Sequence, residues 1–118
     1  METISEDYVS FETAKLLKEK GFEGFTMFSY STKGTTMCGH WENEIDWVPK
    51  CTLQMAMKWL LKKYNIFICI LFLEESNGFG YTIENIVKKE YITTSKNSSY
   101  KEIEDACEAA IKYCLDLI

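Results

Sequence analysis

The chain contains no arginine, and among its 118 residues there are only one histidine, one proline and six glycines. All thirteen of its basic side chains are therefore lysines, set against eighteen carboxylates for a net charge of −5. Lysine carries charge without the flat bidentate fork that reads phosphates and guanine edges. Duplex nucleic acid, whose binding draws on neutralised phosphates, is a poor match for such a surface. An AT-rich coding genome is the plainer explanation of the missing arginine. The scarcity of proline and glycine excludes both extended disorder and collagen-like order.

No apolar run reaches the ~20 residues of a membrane-spanning helix; the longest, Ile66 to Leu73, falls far short. Met1 to Asp7 is acidic and polar, without the basic start and apolar stretch of a secretory signal. The five cysteines (Cys38, Cys51, Cys69, Cys107 and Cys114) are odd in number and lack any C-x-x-C spacing. Together these features predict a cytoplasmic chain with free thiols and no membrane partner. With 47% hydrophobic and 14% aromatic residues, there is material for one compact domain over residues 1–118.

The spacing predicts three amphipathic helices alternating with two hairpins. The first helix follows Ser10, an N-cap, with Val9 and Ala14 at staple spacing across it and Gly21 closing it. Phe25 to Tyr30 and Thr35 to Trp41 form a hairpin around Ser31-Thr32-Lys33-Gly34. The second helix runs from Thr52 to about Tyr64, with Leu53, Ala56, Met57, Leu60 and Tyr64 on its buried stripe. Ile66 to Leu73 is apolar without alternation, the pattern of a strand covered on both faces at a sheet centre. Asn77-Gly78 then turns the chain into a fourth strand carrying Phe79, Tyr81, Ile83 and Val87.

The last helix has a capping box at Ser99 and Glu102 and an apolar face of Ile103, Ala106, Cys107, Ala110, Cys114 and Leu117. Laying Leu16-Leu17-Lys18 on Leu60-Leu61-Lys62 also lays Phe28 on Phe72 and Gly34 on Gly78, a faint internal repeat. The resulting expectation is an α+β fold in the order αββ-αββ-α. It has one antiparallel four-stranded sheet and three helices mainly on one face.

The stretches Tyr8-Val9-Ser10, Ala14 to Phe22, Thr52 to Leu60 and Ala106 to Leu115 resemble short proteins encoded by phages and other mobile elements of gut Bacteroidales. The resemblance lies on the helices and is weak across both hairpins. It implies a shared fold and a setting, a small protein expressed inside a bacterial host. It supplies no activity and no functional residue.

No motif specifies a chemistry. Cys38, His40 and Cys51 with Glu42 or Asp46 contain one loose pair of zinc-type ligands, where structural zinc uses two close pairs. A cysteine nucleophile has only His40 as a base, and Gly78-Phe79-Gly80 belongs to a hairpin, not a phosphate loop. The chain is accordingly read as no enzyme, with no cofactor and no metal. Cys69, Cys107 and Cys114 are expected to be buried and slow to react, with Cys38 or Cys51 faster.

The most unusual stretch lies between strand and helix, where Trp41 and Trp47 flank Glu42, Glu44 and Asp46. Tryptophan is over-represented at interface hot spots; the alternative is that both indoles fold back over the sheet. Met55 and Trp59 form an i, i+4 pair off the main stripe of the second helix, widening its apolar surface beyond one packed face. These seven residues are the candidate interaction site. The reading that follows is a small intracellular interaction protein of a phage or mobile element. It binds a host or phage protein, with possible inhibition, and associates as a homodimer through Trp59 or an open sheet face. The alternative is an oligomer that sequesters a nucleotide-like ligand, its rings stacking a base and its lysines meeting phosphate.

Overall fold

The computed structural model describes residues 7–24, 26–38, 47–95 and 99–118. Through them run α1 (Phe11–Glu19), β1 (Phe28–Tyr30), β2 (Thr36–Cys38), β3 (Val48–Lys50), α2 (Leu53–Tyr64), β4 (Ile66–Leu73), β5 (Gly78–Asn85), β6 (Glu90–Thr94) and α3 (Ile103–Leu117). The class is α+β, but the single four-stranded sheet is overturned. Two separate three-stranded antiparallel sheets are present, in the orders β2-β1-β3 and β4-β5-β6.

Two strands hidden in the sequence account for the difference. β3 contains Pro49, which cannot donate to a ladder and so reads as a strand breaker. It is tolerated because β3 lies at an edge, pairing only with β1. β6 escapes notice because the fourth strand was expected to run through Val87. The chain instead turns there: Asn85 Oδ1 accepts from the amides of Val87 and Lys88 at 3.1 and 3.0 Å, and Lys89 has φ 55°. With β1 and β5 each holding two partners, the hairpins cannot merge through their centres.

Helix starts follow the expected local chemistry twice. Ser10 Oγ accepts from Thr13 N at 3.2 Å, and Thr52 Oγ1 accepts from Met55 N at 3.1 Å. The capping box at α3 does not form. Tyr100 bridges to Phe79 through two backbone bonds of 2.7 and 2.8 Å, so residue 100 is held as strand and the helix begins later. Ser99 Oγ takes a hydrogen bond from Ser76 instead, at 3.0 Å. That bridge also explains Gly78: a Cβ there would collide with Ser99 Oγ and lie 2.9 Å from Tyr100 O. Only Asn77 of the Asn-Gly pair has positive φ, at 52°.

α3 is the shared wall of the molecule. It packs on α1, α2, β4 and β5, and its buried residues are Ala106, Cys107, Ala110, Ile111, Cys114 and Leu115. Cover from both helices and the sheet makes this arc wider than one stripe, so Ile111 and Leu115 join the core. The expected Ile103 and Leu117 are exposed. Helices thus stand between two sheets rather than on one face of one. α1 packs on β3, and Tyr30 at the centre of the first sheet donates from its hydroxyl to Val9 O at 2.6 Å.

β4 is an edge strand, not the sheet centre. Its core-facing Ile66, Ile68 and Ile70 pack inward, but Phe67, Leu71 and Phe72 remain 43%, 38% and 54% exposed. The repeat does not survive either. β1 is central where β4 is an edge, and of the leucines in the repeat the fully buried ones are Leu17 and Leu60, which the alignment does not superpose.

Candidate functional site

The site grows from two short segments. α2 buries Leu53, Ala56 and Leu60, which turns Met55, Lys58, Trp59, Lys62 and Lys63 toward the other side by helical spacing. The chain leaving α1 turns at Gly21, with φ 91°, and brings Phe22 across to α2. Between them lies an open groove of about 480 Å³, lined by Phe22, Gly24, Met55, Trp59 and the three lysines.

Trp59 is the centre of an aromatic ladder. Its ring meets Phe22 edge-on at 5.7 Å between centroids and Tyr64 at 5.5 Å. Such edge-to-face contacts hold a ring in place more firmly than area alone would. Lys63 Nζ lies 5.3 Å from the Trp59 centroid and 5.8 Å from that of Tyr64, within cation–π range. A Cβ on Gly21 would lie 3.3 Å from Lys63 Nζ, so this lysine also sits at the negative end of the α1 dipole. A second groove of about 320 Å³ continues past Met55 and Lys58 to Met27, Tyr8 and Lys50. The combined surface is apolar at its floor and basic at its rim, although the chain as a whole is acidic.

Of the sequence-predicted residues, Met55 and Trp59 are brought together in this groove. Trp47 stands apart from it, just before β3, where its carbonyl accepts from Lys18 Nζ at 2.7 Å. Trp41, Glu42, Glu44 and Asp46 lie outside the described residues, as does His40. Sequence reasoning missed Phe22 and the rim of Lys58, Lys62 and Lys63. The available signal was that Lys58-Lys62 repeats the i, i+4 spacing of Met55-Trp59 one side further round.

The expected burial of cysteines holds at two of its three positions, Cys107 and Cys114, and is corrected at Cys69. Cys38 is exposed on β2, but Cys51 is buried, only 1% accessible. Burial pushes the Cys51 thiol up to about 12, away from the thiolate that a nucleophile needs. β1 also lies between the strands that carry Cys38 and lead to Cys51. Cys69 is half-buried, while Cys107 and Cys114 are buried as expected. Among the described residues, no three His, Cys, Asp or Glu side chains are grouped to hold a metal ion. Likewise no helix among them is long and apolar enough to cross a membrane.

Comparison with known proteins adds no relative: no protein family, no curated protein and no solved structure matches the chain.

Proposed function

We propose that this protein is a non-catalytic interaction module, encoded by a phage or mobile element. It would act in the cytoplasm of a bacterial host by binding a host or phage protein through the α2 groove. The observation that carries the reading is the half-buried Trp59, braced by Phe22 and Tyr64 and open to solvent beside Lys58, Lys62 and Lys63. Ordered aromatic floors with polar rims are what interface hot spots are built from. The rim favours a partner that presents an apolar side chain among carboxylates, since complementary charge guides encounter and register.

Affinity capture from a host lysate, with mass spectrometry, tests this when run in parallel on wild type, Trp59→Ala and the double variant Lys58→Glu/Lys62→Glu. The expected result is a partner retained by the wild type and lost by both variants. A partner held equally by all three would remove the groove from the interaction. A second reading has its own support, because a ring flanked by ammonium groups also suits a nucleotide-like anion. Thermal shift against a nucleotide series separates the two: a rise in midpoint that disappears in Trp59→Ala would transfer the groove to that ligand class.

A further inference from the structure

The four sheet edges among the described residues are not alike. β2 is three residues long, and so is β3, which also contains Pro49. β6 carries Glu90 and a register shift against Ile83/Glu84. Short length, proline, charge and bulges are the devices that keep an edge from pairing with another chain. β4 has none of them: its eight residues, IFICILFL, include no charge, no proline and no bulge against β5. Among the described residues, no strand pairs with its outer side.

The direction of its backbone groups follows from the register. Ile66 pairs with Asn85, and the amide of Ile86 donates to Asn65 O at 3.0 Å, so Asn65 and Ile86 form a hydrogen-bonded pair. Such pairs alternate along an antiparallel ladder. Phe67, Cys69, Leu71 and Leu73 therefore bond to β5, while Ile66, Ile68, Ile70 and Phe72 turn their N–H and C=O outward. Their opposites agree: Phe79 and Tyr81 bond away from β4, to Tyr100 and Ser95.

We propose that β4 pairs antiparallel with β4 of a second copy, joining the β4-β5-β6 sheets of the two copies into one six-stranded sheet. This inference does not rest on the α2 groove, although Lys62 and Lys63 belong to both surfaces. A two-fold axis normal to the sheet keeps corresponding faces on the same side, so only residues of like face can stand opposite each other. The register that uses every outward group sets Ile66 against Phe72 and Ile68 against Ile70. It places Cys69 opposite Cys69 in a non-hydrogen-bonded pair. The ends of the strand favour the same orientation. Exposed Lys62 and Lys63 precede β4, and exposed Glu74 and Glu75 follow it, so antiparallel copies bring each basic end to an acidic one. A parallel arrangement would oppose like charges.

Two measurements test the pairing. Light scattering with size exclusion should give twice the 13.8 kDa chain mass, and Trp59→Ala should leave that mass unchanged. In a Cys38→Ser background, diamide should link the two copies through Cys69. Non-hydrogen-bonded pairs hold Cα atoms about 4.5 Å apart, inside the span of a disulfide. The link should vanish in Cys69→Ser. Cys69→Lys sets two ammonium groups face to face, and Phe72→Pro removes an outward N–H; each should weaken the dimer more than tenfold while circular dichroism stays native and the thermal transition stays cooperative, with its midpoint lowered only by the lost association. A monomer mass at all micromolar concentrations overturns the proposal. So does a dimer that fails to link through Cys69, or one that survives both well-folded variants.

Discussion

Leu60 is fully buried, and its replacement by alanine removes transfer energy and leaves a cavity. Leu60→Ala is expected to cost about 2–5 kcal/mol, whereas Phe72→Ala, at a side chain more than half exposed, should cost well under ~1 kcal/mol if the chain is kept dilute. Urea denaturation of the two variants checks the contrast. The thiols give a second test at this scale. Iodoacetamide should label Cys38 quickly, Cys69 more slowly, and Cys51, Cys107 and Cys114 only on unfolding. Burial raises the Cys51 and Cys114 thiols from 9.0 to about 12, so the folded state prefers them protonated. Their contribution is intact below pH 9 and is lost as pH rises from there toward 12. Denaturation midpoints measured across that range should fall; a flat profile would show that these thiols titrate alike in the folded and unfolded chain.

At the scale of elements, the helices and both hairpins were legible, and the assembly of strands into sheets was not. Caps and periodicity are local, so Ser10, Thr52 and the leucines of α1 and α2 announce themselves within a few residues. Whether a strand is central or marginal depends on partners distant in sequence. The apolar run of β4 is what a central strand would show, and only the position of β5 and β6 reveals an edge. The failed box at α3 has the same origin, since the bridge from Tyr100 to Phe79 outranks a local capping preference. Thr52→Ala should therefore cost about 1 kcal/mol through the lost cap, while Ser99→Ala should leave α3 helicity unchanged. Circular dichroism with thermal melts distinguishes the two.

At the scale of the whole molecule, the site was half legible for the same reason. Met55 and Trp59 stand out because they leave their own helix's stripe, but Phe22 reaches them only through the fold, across the turn after α1. The proposed partner's affinity for the lysine rim should fall as salt is raised, because exposed charges separated by more than about 10 Å are screened at 0.1 M ionic strength. The place of α3 bears on how the protein is made. A ribosome delivers both sheets before α3, and until that helix emerges the core-facing side of β4 and the buried ends of α1 and α2 have no common wall. From residue 73 until α3 follows, the nascent chain carries its apolar strand without that helix's cover. Native packing then arrives in one late step, when residues 103–117 dock between the sheets.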